Sequence, residues 1–390
     1  MKVALLGNYP TYPFAEILKV KYEGRKVATW LINLAKYLSK DENVELHVIS
    51  EDEYLPKDYH FISDNINFHF LKCPKRFKAA TLFVGNVIRI NKLLKQIKPD
   101  IINAHHTDEY ALASIKATFP YVITIHGIYS RLIPNDNFIS RAKIVSMIEK
   151  YILKKAKNLI ATSPFVYEAV GNSPTAKFYD IENCLDEKYF VQNKDYSINY
   201  NLLFIGHIIE DKGAYYILEA INKLKTEFPK IKLNIIGNFS VYEESYRNKF
   251  LEFIAINGIS NFVNFLGFLR EEEKIHIINN TTILIHPSRL ETFGMAIAEA
   301  TATGTPIIAS RVGGIPYTIG GKGNAILVEF KNVDQIIMNI RKLFLDQDLR
   351  ITLGTNAKSE AFRRFHPSVI ITETIDCYKD IIKNNKVSNG

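Results

Sequence analysis

Two carboxylates, Glu291 and Glu299, are separated by seven residues in a run whose composition suits anion and polyol binding. The run begins His286-Pro287-Ser288-Arg289-Leu290-Glu291 and continues Thr292-Phe293-Gly294-Met295. Residues 282–285 before it are β-branched and apolar and predict a short buried strand. Residues 295–303 after it are small and apolar and predict a helix, stopped by Gly304. Thr292 is the expected N-cap. A helix starting there aims free backbone N–H groups into the loop, and Gly294 permits close approach, which is the outline of a phosphate site. Glu299 sits about two turns into the helix among Ala and Ile, where a carboxylate is costly to bury without a partner. Polyol hydroxyls would supply one. The plainer reading makes both glutamates surface carboxylates on an ordinary α/β connection.

The elements that must position this run form a long alternation. Residues 3–7 predict a strand ending at Gly7. A helix over 27–38, strands over 44–49 and 66–70, and an amphipathic helix over 82–97 follow. Strands over 101–104, 121–125 and 159–163 then alternate with helices over 110–118 and 140–157. Near Asp186 the pattern lapses into a polar stretch, 186–200, read as a linker. It restarts with strands over 202–206, 232–237, 263–267, 282–285, 306–309 and 325–328. Helices are expected over 214–228, 246–257, 333–345, 349–364 and 367–383, with an acidic first turn at Glu271-Glu272-Glu273. Such spacing predicts parallel α/β sheets. The expected division is an N-terminal Rossmann-like domain over 1–185, the linker 186–200, a C-terminal Rossmann-like domain over 201–365, and a helix over 366–390 crossing back to the first domain. Ligands of open parallel sheets sit at the C-terminal strand ends. Gly7, His105-His106, His126-Gly127, Gly206-His207, Gly237-Asn238 and Arg311 to Gly314 all fall at such ends, as does the run carrying Glu291. Two sheets facing each other across a cleft would gather them.

Bulk properties narrow the classes. With 390 residues, 47% hydrophobic and 23% charged, the chain suits two globular cores. No run approaches a membrane span. The N-terminus turns polar too soon for a secretory signal, and Cys73, Cys184 and Cys377 show no metal-type spacing, so a reduced cytoplasmic setting is expected. Net charge is +8, of which +6 falls in residues 1–190, and residues 72–98 hold eight basic residues and no acidic one. An excess of this kind serves an anionic membrane, an anionic substrate or nucleic acid. Nucleic acid is the weakest of these, because no aromatic platforms interleave the basic residues.

Taken together, these residues resemble the retaining glycosyltransferases of the GT-B fold, in the large group 1 (family 4) class. The resemblance rests on Glu291-Thr292-Phe293-Gly294-Met295-Ala296-Ile297-Ala298-Glu299, flanked by His286-Pro287-Ser288, Gly304-Thr305-Pro306 and Gly313-Gly314-Ile315-Pro316. Upstream, Phe204-Ile205-Gly206-His207, Asp211-Lys212-Gly213 and His126-Gly127 fall in the family's order. The resemblance implies two Rossmann-like domains and transfer of a sugar from a nucleotide-diphosphate sugar to a hydroxyl of a glycan or lipid-linked acceptor. A UDP-sugar is favoured over a GDP-sugar. Configuration is retained by same-face attack, with no metal and no cofactor beyond the donor. The implied catalytic residues are His126, Lys212 and Glu291. The implied donor-binding residues are Gly7, Gly206, His207, Lys212, Gly237, Glu291, Thr292, Phe293, Gly294, Met295 and Glu299. In that scheme Glu291 holds donor-sugar hydroxyls, Glu299 holds the ribose, Lys212 neutralises the diphosphate, and backbone N–H groups of 293–295 contact phosphate or sugar.

The chain departs from the family pattern at defined points. His207 stands where an Arg is usual, so Lys212, Arg289 or Arg311 is expected to carry more of the diphosphate contact. Gly237 lacks a second Gly beside it, the N-terminal double-Gly loop is reduced to Gly24-Arg25, and Tyr317 replaces a usual Glu. Asp346-Gln347-Asp348 reads as a solvated turn. Two further readings stand beside transfer: a nucleotide-sugar epimerase or hydrolase on the same fold, and a non-catalytic nucleotide-sugar binder. The basic N-terminal half allows peripheral contact with an anionic membrane at its inner face.

Overall fold

The computed structural model describes residues 1–20, 28–73, 82–128, 141–171, 176–240 and 243–388. The Gly24-Arg25 turn and residues 74–81 of the basic stretch lie outside these. The chain divides into two compact units, Met1–Cys184 with Pro367–Gly390, and Leu185–His366.

The first unit is built on strands β1 (Lys2–Leu6), β2 (Glu45–Asp52), β3 (Tyr59–Ser63), β4 (Ile66–Lys72), β5 (Ile101–His105), β6 (Tyr121–Ile125), β7 (Asn158–Ala161) and β8 (Lys177–Asp180). Among the described residues they form one sheet in the order β3-β4-β2-β1-β5-β6-β7-β8. Every pairing is parallel except β3 with β4. Side chains alternate between two buried faces, as a doubly covered sheet requires. In β1, Val3 and Leu5 enter the core with Leu31 and Leu34, while Ala4 and Leu6 enter the opposite core with Ile90 and Leu94. The C-terminal helix Pro367–Ser388 belongs to this unit, and its fully buried Tyr378 hydroxyl accepts a hydrogen bond from Asn103 Nδ2 at 2.8 Å.

The second unit holds β9 (Asn201–Ile205), β10 (Lys232–Ile236), β11 (Val263–Gly267), β12 (Ile283–His286), β13 (Ile307–Ser310) and β14 (Ile326–Val328), all parallel, in the order β11-β10-β9-β12-β13-β14. Leu202 and Phe204 of β9 face one core and Leu203 the other. In both sheets the chain reverses its direction of growth beside the first strand. The reversal lies between β1 and β5 in the first unit and between β9 and β12 in the second. Loops leave such a switch point in opposite directions and open a crevice at the strand C-termini.

The polar stretch 186–200 is not a free linker; it is part of the second unit. Tyr189 and Phe190 are buried with Ile275, Ile278 and Ala300. Lys194 Nζ donates to the carbonyls of Asn279 and Thr281 at 2.6 and 2.5 Å, capping the helix Glu271–Asn279, and Arg350 donates to the Tyr196 carbonyl. Its polar composition serves capping as well as solvation, since every second residue of 191–200 is exposed.

Candidate active site

The site in the second unit grows from the switch point. After β9 the chain makes a short 3-10 turn, Glu210–Lys212, and enters the helix Ala214–Leu224 through Gly213 at φ +72°. A Cβ at Gly213 would overlap the carbonyl oxygen of Pro287. Glycine therefore lets the loop after β9 seat directly on the loop after β12. Two further contacts lock the loops together. The Arg289 N–H donates to the Asp211 carbonyl at 2.7 Å, and the Arg289 guanidinium grips the Asp211 carboxylate at 2.6 and 2.8 Å. That fork holds Asp211 below the usual carboxylate range. Arg289 is thereby committed to Asp211, and Arg311 faces Glu329 at 3.8 Å.

This docking delivers Lys212 to Glu291. Lys212 Nζ lies 2.5 Å from Glu291 Oε1, and the same oxygen meets His286 Nε2 at 2.7 Å and Ser288 Oγ at 3.1 Å. Facing a carboxylate, His286 Nε2 carries the proton, while its Nδ1 is buried with no hydrogen-bond partner. Burial alone would raise the Glu291 carboxyl. The Lys212 charge and the His286 hydrogen bond outweigh it and hold the group well below the usual range. Glu291 is a fixed anion with Oε1 saturated and Oε2 outside these three bonds. On its other side, Gly313 at φ +52° packs against the Glu291 backbone so closely that a Cβ would overlap the Glu291 carbonyl oxygen. The Gly314 N–H bonds that same oxygen at 2.8 Å.

The helix after Glu291 starts later than expected. It spans Met295–Thr303, and its N-cap is Gly294 at φ +88°, not Thr292. The chain must turn through a left-handed position to enter this helix, and only glycine does so without strain. Thr292 stays outside it. The Phe293 side chain is buried against Phe365, and Thr318 Oγ1 donates to the Phe293 carbonyl. The first-turn N–H groups at Gly294 and Met295 are thus left at the loop, without intrahelical acceptors.

Glu299 has a protein partner that the sequence did not reveal. Lys274, from the first turn of the helix Glu271–Asn279, lies 2.8 Å from its Oε1 and 3.1 Å from Glu271 Oε2. The buried Tyr189 hydroxyl donates to Glu271 Oε1 at 2.6 Å. Burial and the Glu271 charge outweigh Lys274 and push Glu299 up to about 7.

Gly206 and Gly237 end β9 and β10 side by side. The Gly206 N–H bonds the Ile236 carbonyl at 3.0 Å, and the Gly237 N–H bonds the Gly267 carbonyl at 2.8 Å. His207 follows Gly206 and is exposed. Asp346 caps the helix Gln347–Phe365 by accepting from the Leu349 N–H, which explains the Asp346-Gln347-Asp348 turn.

Gly7, His105 and His126 occupy the switch point of the first unit. Gly7 packs against Leu31 and His105. His126 Nε2 meets His105 Nδ1 at 2.8 Å, and its ring stacks on Trp30 at 4.8 Å between centroids. These side chains line a cavity of about 20 Å³ with Asn103, Thr124 and Asn183, room for a single water. Burial holds both imidazoles below their ordinary value, His105 at about 3, so neither is cationic at neutral pH.

The structure therefore brings together Lys212, Glu291 and the Gly294 turn, with Glu299 in the helix behind. His286, Ser288, Lys274 and Tyr189 were missed as functional residues. His286 and Ser288 had a signal, since His286 ends a buried strand and Ser288 follows it just before a carboxylate.

Comparison with known proteins adds to this. A family model described as "Glycosyl transferases group 1" matches residues 186–360, and one described as "Glycosyl transferase 4-like" matches residues 19–163. A glycosyltransferase of Methanocaldococcus jannaschii, described as uncharacterized, is 26% identical over 332 residues, spanning 84% of this chain and 86% of that one. The capsular polysaccharide biosynthesis glycosyltransferase CapM of Staphylococcus aureus is 22% identical over 89% of this chain and 93% of its own. Sucrose-phosphate synthase from Thermosynechococcus elongatus shares the fold at TM-score 0.81 and 18% identity, covering 98% of this chain and all of that one. The Anabaena protein HepE, solved with UDP-glucose, aligns at TM-score 0.74 and 18% identity, over 97% of this chain and 100% of that one.

Proposed function

From the premise that this chain belongs to the group 1 glycosyltransferases, we propose that it moves a sugar from a nucleotide-diphosphate sugar to an acceptor hydroxyl with retained configuration. A UDP-sugar is the favoured donor, and the acceptor is a glycan or lipid-linked hydroxyl. The HepE complex with UDP-glucose supports the donor class, and CapM supports polysaccharide synthesis.

One observation carries the reading: Lys212 and Glu291 meet across the switch point, beside the N-terminus of the helix Met295–Thr303. Glu291 Oε2 accepts hydroxyls of the donor sugar. Lys212 and the Gly294 and Met295 N–H groups take the diphosphate. As the bond from C1 to the diphosphate oxygen breaks, negative charge builds on that oxygen. A fixed cation and a helix N-terminus stabilise it there, in place of a metal. The acceptor oxygen bonds C1 from the same face, and its proton passes to the departing diphosphate. Lys212 carries the cationic part of the diphosphate contact that His207 leaves unfilled.

Peripheral binding to an anionic membrane belongs to the same reading. Met147, Lys150, Tyr151 and Lys154 form an exposed basic and apolar stripe on the helix Arg141–Lys155. Among the described residues no helix is long and apolar enough to cross a membrane. Sedimentation with anionic vesicles at low salt tests this contact, and no binding there removes it.

A thermal-shift panel of UDP, GDP and ADP tests the donor reading. One diphosphate is expected to raise the melting temperature by ligand linkage. Flat curves with all three would contradict it.

A further inference from the structure

Lys274 is 8% exposed and Glu299 3%. Two charges this deep cost more than their attraction returns unless the geometry is good and the remaining lone pairs are satisfied. The geometry is good: Lys274 Nζ bridges Glu299 Oε1 at 2.8 Å and Glu271 Oε2 at 3.1 Å, and Tyr189 satisfies Glu271 Oε1. One ammonium between two carboxylates leaves an excess of buried negative charge, and the Tyr189 hydroxyl that bonds Glu271 also reaches Glu299. Two adjacent ligand hydroxyls donating to Glu299 would offset the remaining negative charge. We infer that Lys274 is a positioning residue for nucleotide recognition, clamping Glu299 as an oriented anion whose Oε2 accepts from the cis-diol of a ribose. This rests on the assignment of Glu299 to the donor ribose.

The titratable groups facing Glu299 are Lys274 and Glu271 from the helix Glu271–Asn279 and Tyr189 from the turn Glu187–Tyr189. The helices Ile315–Ile319 and Gln347–Phe365 present Ile315, Ile319, Ala361 and Phe365 to the same core, all apolar. Glu299 titrates near neutrality as the balance of these groups. Removing the cation therefore raises its proton affinity, and removing the second carboxylate lowers it. Those opposite displacements separate a positioning role from mere packing.

The test measures UDP and 2′-deoxy-UDP affinity by calorimetry between pH 6 and 9. It uses the full chain and the variants Lys274→Met, Lys274→Arg, Glu271→Gln and Glu299→Gln, with melting curves alongside. The wild type is expected to prefer UDP by roughly 10-fold or more, the worth of a hydrogen bond to a charged group. Lys274→Met should reduce that preference to below about 3-fold at pH 7 and move the acid limb of UDP binding to higher pH. Lys274→Arg should restore both, and Glu271→Gln should move the limb to lower pH. If Lys274→Met fails to fold, the Glu271→Gln displacement decides. An unmoved acid limb and an intact preference in Lys274→Met, with the preference lost in Glu299→Gln, would overturn the role of Lys274 alone. An intact preference in Glu299→Gln, or no UDP binding by the wild type, would overturn the ribose assignment itself.

Discussion

Lys212 Nζ and Glu291 Oε1 stand 2.5 Å apart across 79 residues of sequence. The pair exists because Gly213 lets the loop after β9 touch Pro287, and because Gly313 lets the loop after β13 touch the Glu291 backbone. On the proposed function, it prepares a cation and an anion for a diphosphate and a sugar.

Lys212→Met leaves Glu291 partly buried and short of its main counter-charge. Loss of about 1–3 kcal/mol of stability is expected at pH 7, less than for a fully buried pair. The folded Glu291 carboxyl lies below its unfolded value. Its contribution is therefore complete above the unfolded value of about 4.3 and is lost as pH falls toward the folded one. Melting curves of both proteins from pH 3 to 8 check this. The gap between them should narrow below about pH 4.

Gly313→Ala places a methyl group on the Glu291 carbonyl at a backbone angle of +52°. About 1–3 kcal/mol of stability should be lost. Donor affinity should fall as well, because the loop carrying Glu291 is pushed off its seat. Chemical denaturation and nucleotide titration measure the two effects separately.

Glu299 works in the opposite sense to Glu291. Its folded carboxyl titrates at about 7, above the unfolded value of about 4.3. Its contribution to stability is then complete below the unfolded value and is lost as pH rises through 7. Glu299→Gln escapes that loss. The melting temperature of the variant relative to wild type should climb between pH 5 and 7 and level off above. A difference that stays flat with pH would contradict the burial argument.

Much of the fold was legible because buried parallel strands are unbroken apolar runs. Strands β1, β6, β9 and β12 show this, and Gly304 ends the helix Met295–Thr303 as its sequence implies. The two strands missed, β3 and β8, lie at the sheet edges. There the side chains are only partly buried and no unbroken apolar run marks the strand. Thr292 was misplaced as a cap because propensity names a side-chain oxygen acceptor, whereas the loop needed a positive φ at Gly294. The Lys274 partner of Glu299 was invisible because it sits 25 residues earlier, in a helix turn that reads as surface. Sequence periodicity reports which face a residue shares, not which distant charge meets it.

His105 and His126 should remain neutral throughout the physiological range. Burial lowers both, His105 to about 3. The stability this lends is complete above the unfolded histidine value of about 6.5 and declines as pH falls toward 3. Imidazole carbon-proton NMR of the folded protein should show no titration of His105 between pH 8 and 5. A midpoint near 6.5 would contradict the buried pair.

The central claim is that the Lys212–Glu291 site holds a nucleotide sugar and splits its bond to C1. Proton NMR of wild type and Glu291→Gln with a panel of UDP- and GDP-sugars tests it most directly. With the wild type, at least one donor should release its nucleoside diphosphate and yield sugar first in the donor's own anomeric form. Glu291→Gln should be slower by roughly 100-fold or more. Release of the inverted anomer first, equal rates in the two proteins, or no cleavage of any donor would contradict the account.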